Sequence, residues 1–399
     1  MSAPRLSQTG ALQTGVSQTG ESLTIKPVES SADREAFIRL PWALYRDDPA
    51  WVPPLLMERR DHLNPKKNPF FQNAEARFWL ALRDGRPVGR ISAQVNRAHL
   101  GRHHDATGHF GMLEAEDDAE TFAALLQTAE DWLREKGLKR IAGPFSLSIN
   151  EESGLLVEGF QYPPSLMMGH ALPYYATRLE ALGYHKIKDL ICYYYEAAHE
   201  LPPAAAYVLR KTAAAEQLTI RPLDMRNYER DLRIIVDVFN DAWSENWGFI
   251  PMSEADLRHL AKELKPIVRP QSIAIAELKG EPAAMAISLP NVNEAISDLN
   301  GRLLPFGWAK LLWRLKVKTT KTGRVPLMGV RKAYQNSLMG ATLALSVIDA
   351  IRREQTALGV IGGELSWILE DNLPMRRMIE EFGGEAYKTY RVYARELGS

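Results

Sequence analysis

The sequence predicts an α+β fold built twice over, each copy a mixed sheet flanked by helices. Three observations point to it. The strand-like LTIKP at 23–27 returns as LTIRP at 218–222, 195 residues later. The stretches WLALRDGRPVGRISAQV (79–95) and IAIAELKGEPAAMAISL (273–289) share one plan, with Gly280 and Pro282 again 195 residues after Gly85 and Pro87. The closing segments 178–196 and 378–396 repeat a helix–Gly–strand pattern at an offset of 200. Self-similarity of this length marks a duplicated domain.

The elements follow in order. Residues 1–22 carry QTG three times and are polar, so they are expected as a flexible tail rather than a signal peptide. Each copy then opens with a short strand and helices. The hairpin comes next, and Asp84-Gly85 is a strong two-residue turn signal. After one more strand stand the amphipathic stretches 119–137 and 341–359, each ending in a glycine suited to close a helix. LKRIAGPF and VIGGELSWIL continue as strands, and a short helix and a final strand complete each copy. Alternation of strands and helices within one unit gives a mixed sheet. Copy one is bounded at 23–200 and copy two at 218–399, with 201–217 as linker. Against each other, copy two gains about 27 residues near 299–325 and copy one about 22 near 148–170. Such additions fall in loops, where function tends to sit.

Composition excludes several classes. Hydrophobic residues make up 45% and charged residues 25%, the balance of a globular protein. Lys plus Arg equals Asp plus Glu at 49 each, so overall charge gives no reason to expect a nucleic-acid partner. Cys192 is the single cysteine, which rules out an intrachain disulfide and fits a reducing, cytoplasmic setting. No window approaches the roughly 18 apolar residues of a spanning helix. No metal is expected: His103, His104 and His109 lie in a Gly-rich connector without carboxylates at ligand spacing.

The strongest local site is GVRKAYQNSLMGATL (329–343), where a strand runs into the long helix of copy two. A helix N-terminus offers free N–H groups and a positive dipole end to a phosphate, Gly340 permits close approach, and Arg331 and Lys332 add charge. Copy one has LEAEDDAETF (113–122) at the equivalent place, with five acids and no glycine. Only copy two is expected to bind a phosphorylated cofactor.

These features resemble the GNAT acyltransferase fold, whose motif is Gln/Arg-x-x-Gly-x-Gly/Ala at the start of its third helix. Gln335 and Gly340 match, while Leu338 stands where the first glycine belongs. The resemblance implies an acyl-CoA site formed by Val330, Arg331, Gln335, Asn336, Gly340 and Ala341, with Asn372 receiving the pantetheine arm. Ile379 occupies the position of the tyrosine that often protonates the leaving thiolate. GPFSLSINEESGLLVEGF, LNGRLLPFGWAKLLW and GGELSWILEDN are similar, more specifically, to a family of tandem-GNAT bacterial proteins with a ceramide synthase branch. That branch implies transfer of a fatty acyl group from acyl-CoA, a co-substrate rather than a resident cofactor, to a sphingoid base. A polar-amine acetyl- or aminoacyltransferase and a non-catalytic acyl-CoA sensor are the rival expectations.

Acyl transfer to an amine needs a base and oxyanion donors. Glu364 lies in an otherwise apolar strand, where a carboxylate without a partner would have a raised pKa suited to that base. Glu152, in the Gly-terminated loop SINEESG, is the alternative base, with Asn150 and Glu151 beside it as substrate contacts. His170 borders the same addition as a relay candidate, and Trp367 and Trp308 are candidate substrate contacts. The second addition, 301–324, holds seven cations, no acid and two tryptophans. Leu304, Trp308, Leu311, Leu312 and Leu315 fall on one side of a helix, the composition of a face for an anionic membrane, while Phe306, Trp313 and Val317 on a second face equally fit a helix packed on its own domain with a basic rim. A cytoplasmic protein peripheral to the inner membrane is the corresponding expectation.

Overall fold

The computed structural model describes residues 22–213 and 218–398. All but the last position of the expected tail, and residues 214–217 of the expected linker, lie outside the described residues. The rest of that linker contains the helix Pro203–Ala213. Thirteen strands follow in chain order. In copy one they are β1 (Leu23–Pro27), β2 (Ala74–Arg83), β3 (Arg86–Asn96), β4 (Thr107–Ala115), β5 (Arg140–Gly143), β6 (Leu155–Glu158) and β7 (His185–Glu196). In copy two they are β8 (Leu218–Pro222), β9 (Ile273–Leu278), β10 (Glu281–Pro290), β11 (Thr322–Val330), β12 (Gly362–Leu369) and β13 (Glu385–Glu396).

The duplication is visible in backbone detail. The β2–β3 turn has Asp84 and Gly85 at φ 49° and 79°, and the β9–β10 turn has Lys279 and Gly280 at 55° and 85°. Positive φ at both central positions is the turn whose twist matches paired strands, and a glycine at the second adopts it without a Cβ clash. The long helices run Ala119–Glu135 and Leu338–Ala357. Each is capped by a side chain three residues before the amide it receives, Asp118 for Thr121 and Ser337 for Gly340. The second helix starts three residues earlier than its periodicity suggested, so Gly340 falls in its first turn.

The copies are not closed separately. All strands form one sheet in the order β1-β2-β3-β4-β5-β13-β7-β12-β11-β10-β9-β8, with β6 also on β13. Copy two's last strand therefore continues copy one's sheet, with Tyr393 opposite Gly143. Copy one's last strand does the same for copy two, with Tyr193 opposite Leu365. The exchanged strands pair antiparallel, Cys192 facing Lys388. One apolar core packs the helix Ala119–Glu135 and the helix Tyr174–Ala181 on copy one's half of the sheet. Two more flank copy two's half, built from Ile235, Phe239 and Ile275 on one side and Ala276, Leu343 and Val347 on the other.

The expected connector around the histidines is ordered structure. His103 ends the helix Arg97–His103, and His109 lies within β4. The rings of His103 and His109 both pack on His99, at 4.5 and 4.6 Å between centroids.

Candidate active site

Each copy has one pair of parallel neighbours that part company. In copy two, β11 and β12 pair from Thr322 opposite Gly362 to Val325 opposite Leu365, and then separate. In copy one, β4 and β5 pair only over Thr107–His109. There the gap is filled by the chain itself. Phe145 donates its N–H to Phe110 O at 2.8 Å, and a Cβ on Gly111 would stand 1.7 Å from Phe145 O. Tyr174 donates to Ala115 O at 2.7 Å while the hydroxyl of Tyr175 accepts from Ala115 N–H at 3.2 Å, so both backbone groups at the strand end are already satisfied. A pantetheine arm has no free strand edge to pair with in copy one.

The gap of copy two ends at the turn where sequence placed the cofactor residues. Gln335 donates its side-chain amide to Val330 O (2.8 Å) and Ala242 O (3.1 Å), which folds the turn back on its strand. Asn336 takes φ 58°, Ser337 caps Gly340, and a Cβ on Gly340 would lie 2.2 Å from Tyr334 O. Gly340 is thus required by the turn itself. Gln335, Asn336, Leu338 and Ala341 are exposed at the helix start. The free cationic charge expected of Arg331 and Lys332 is corrected: Arg331 is held by Pro282 O and Asp237, and Lys332 pairs with Glu245 at 3.3 Å. Anion binding here would rest on backbone amides and the helix dipole. Across the gap Asn372 caps the helix Leu373–Glu381 by accepting from Met375 N–H at 3.3 Å. Ile379 is buried beneath Gly384 and offers no proton.

Glu364 sits where β11 and β12 begin to diverge, and its surroundings correct the expectation of an unpartnered carboxylate. It is 1% exposed. Its register partner across the parallel pair is Arg324, with Nε 3.8 Å from Oε1. Lys388 Nζ lies 2.8 Å from Oε2, reaching across β7 at the small side chain of Cys192. Ser366, two residues along and so on the same face, donates to Oε1 at 2.5 Å, and Ser165 donates to Oε2 at 3.1 Å, as does Tyr387. Burial alone would raise the pKa, but Lys388 and Arg324 outweigh it and hold the carboxyl below its usual range. The carboxylate is saturated with donors and ionised. It is built to hold two buried cations.

The loop of copy one has a different character. Arg59 and His62, one turn apart on the helix Leu56–His62, meet Glu152 and Glu151, each at 2.9 Å. Burial disfavours the charged ring of His62, yet the charge of Glu151, with hydrogen bonds from the ring to Glu151 and Glu58, lifts its pKa to about 10. For Glu152, too, burial works toward a higher pKa, but Arg59 and His62 prevail and lower it. Unlike Glu364, Glu152 keeps a quarter of its side chain accessible. Asn150 donates to Ile250 O at 3.2 Å, so this loop does reach copy two. Burial pushes the pKa of the Tyr390 hydroxyl up, and the charges of Glu364 and Glu152 are among those that add to it.

Other sequence candidates are more scattered. His170 is buried against Asp48 (2.8 Å) and is not among the groups binding Glu364. Trp367 packs edge-on against Trp243 at 6.0 Å, and Trp243 donates to Met328 O, so this pair spans the gap between β11 and β12. Trp308 is half exposed, its indole N–H donating to Pro305 O. Sequence reasoning missed Arg324, Lys388, Tyr387, Ser165 and Trp243. The available signal was alternation: Lys388 and Tyr390 share the buried face of an aromatic strand, where a lysine needs a carboxylate partner.

Comparison with known proteins agrees with this architecture. No protein-family model matches the chain. It is 47% identical over 379 residues to bacterial ceramide synthase of Caulobacter vibrioides, covering 94% of this chain and 98% of that protein. It is 46% identical over 365 residues to protein YghO of Escherichia coli, covering 92% and 93% respectively. Among solved structures it resembles a tandem GNAT protein from the clavulanic acid biosynthesis pathway, with TM-score 0.55 at 14% identity over 95% of this chain and 99% of that one. A GCN5-related N-acetyltransferase from Sphaerobacter thermophilus gives TM-score 0.51 at 14% identity, covering 94% and 96%. These two likenesses concern the fold alone.

Proposed function

Because the chain belongs to the tandem-GNAT N-acyltransferase family of bacterial ceramide synthase, we propose that it moves a long-chain acyl group from acyl-CoA to the amine of a sphingoid long-chain base. The observation that carries this reading is the contrast between the two gaps: the one in copy two is bridged only by the Trp243–Trp367 pair and runs to an exposed helix start, while copy one's is filled by Phe145 and sealed by Tyr174 and Tyr175. The donor would lie along β11, its phosphates toward the turn 331–337 and its arm toward Asn372. The acceptor would approach from the loop 148–154.

In the reaction a C–N bond forms, the thioester C–S bond breaks, the amine loses a proton and the thiolate gains one. The proton-accepting role belongs to Glu152 in this reading, because it alone of the two carboxylates is both ionised and accessible. Glu364 acts as a positioning residue that holds the side chains of Arg324 and Lys388 in place. A water-insoluble acceptor also calls for an enzyme at a membrane surface, on the cytoplasmic side of the inner membrane. The test is incubation of the purified protein with acyl-CoAs of graded length and a sphingoid base, reading amide by mass and released thiol. Amide from long-chain donors is expected. Product only with short donors and a polar amine would favour the acetyltransferase reading, and acyl-CoA binding without turnover would make the chain a sensor.

A further inference from the structure

The second addition carries a surface that the acyl-transfer site does not use. Of fourteen large hydrophobic side chains exposed among the described residues, six lie between 304 and 317. They are Leu304, Phe306, Trp308, Leu312, Trp313 and Val317, with Leu304 81% and Phe306 78% exposed. Their concentration in fourteen positions is what separates a patch from scattered exposed residues. The single apolar side expected from the helical wheel is corrected, because Leu311 and Leu315 turn inward instead. They pack on Val292, Ala295 and Ile296, and on Leu55 and Leu166 of copy one. Self-packing therefore anchors the segment and leaves the remaining apolar groups outside.

The charges divide in the same way. Lys310 and Arg314 are both turned to Asp298. Arg302, Lys316, Lys318 and Lys321 are exposed and have no carboxylate partner among the described residues, and Lys318 lies over the Trp313 ring at 6.0 Å. Tryptophans and a phenylalanine fringed by free cations match the interfacial zone of a bilayer with anionic headgroups, where indoles sit at headgroup depth and basic chains reach phosphate. No helix among the described residues is long and apolar enough to cross a membrane, so the contact is with a surface.

We propose that the face 302–321 docks on an anionic lipid bilayer and fixes the acceptor entrance of copy one against it. The link is structural. Leu56 N–H donates to Gly301 O at 3.0 Å, and the Trp42 indole donates to Asn300 at 2.6 Å. The helix Leu56–His62 tied down in this way carries Arg59, which holds Glu152, and Met57, which is 59% exposed. An amphiphilic amine leaving the bilayer meets apolar side chains first and the carboxylates of the 148–154 loop next.

The purpose of this docking rests on the lipid-amine reading, but its test uses no substrate. The full chain is sedimented with vesicles of phosphatidylcholine alone and with phosphatidylglycerol added. Binding is expected only to the anionic vesicles and should weaken with salt. Replacing Arg302, Lys316, Lys318 and Lys321 with Gln should cut the vesicle partition at least tenfold, and F306S/W313S should do so at constant charge. The melting temperature is measured alongside, with F306S alone as the mildest variant should either combination fail to fold. Equal binding to both vesicles, no binding by the parent chain, or partition unmoved by any of these changes overturns the proposal. So does a concentration-dependent dimer dissolved by F306S, which would show a second copy covering this face. Activity on a detergent-dispersed amine reports the acyl-transfer reading separately, so either idea can fail alone.

Discussion

Lys388 and Glu364 form an ion pair at 2.8 Å across an intervening strand, with both side chains almost entirely out of solvent. Two consecutive strands of copy two, β12 and β13, are thereby joined over β7 of copy one. Removing one partner of a buried pair strands the other charge, which typically costs about 3–5 kcal/mol. Glu364→Gln should therefore lower the melting temperature sharply, since it leaves both Lys388 and Arg324 without their anion. Lys388→Met should cost less, because Arg324 remains. The double variant should be more stable than the sum of the singles, and thermal unfolding of all four proteins measures that coupling.

Glu152 gives a different signature. Glu152→Gln removes a proton acceptor that is partly accessible, so turnover should fall about 10²–10⁴-fold while acyl-CoA affinity holds. Its lowered pKa keeps it ionised at neutral pH, so the parent enzyme should lose activity only on the acid side. Full activity in the Gln variant would move the base elsewhere.

Gly340 separates the copies. Any side chain there drives a Cβ into Tyr334 O and displaces the turn 331–337. Gly340→Val should weaken acyl-CoA binding by at least tenfold in a calorimetric titration. Asp117→Asn, at the acidic helix start of copy one, where Asp117 pairs with Arg178, should leave that affinity within about twofold. Equal effects would mean that copy one takes part in donor binding.

His109 contributes to acid lability. Burial first, and then the neighbouring His99, push its pKa down to about 3, whereas an unfolded histidine titrates near its ordinary 6.5. The unfolded chain therefore binds this proton first. The contribution of His109 is intact above that ordinary value and is lost as pH falls toward about 3, with a slope near 1.4 kcal/mol per pH unit for the single proton. Denaturant titrations between pH 7 and 4 should show this loss, and His109→Asn should flatten it.

Much of the fold was legible because duplication reports on itself. Asp84-Gly85 and Lys279-Gly280 form the same turn, and both long helices are present, the second starting three residues before its apolar spacing suggested. Local signals also marked Gly340 and the turn before it. What sequence could not carry was the partner of each buried group. Glu364 in an apolar strand reads as a lone carboxylate, since Arg324, Lys388 and Ser165 reach it from up to 199 residues away. Its pKa direction depends on those neighbours and reverses once they are known. Helical spacing likewise grouped Leu315 with Trp308, whereas packing on Val292 and Ile296 turns only the former inward. The two additions were visible as insertions, but not which face of each would meet solvent.

The exchange of β7 and β13 also orders events in time. While the chain is being made, copy one has every strand but one of its half-sheet and an unpaired edge at β5, for which β13 is the awaited neighbour. That edge stays open until β13 emerges, 242 residues after β5 ends at Gly143, since β13 starts at Glu385 and 385 − 143 = 242. The same closing strand delivers Lys388 and Tyr390 to the site, so an interrupted chain ends with neither a finished sheet nor a charged cluster. Residues 22–200 expressed alone should aggregate through the bare β5 edge, and co-expressed 218–399 should rescue them into one soluble assembly. Closure of copy one's half-sheet is thereby tied to the synthesis of β13.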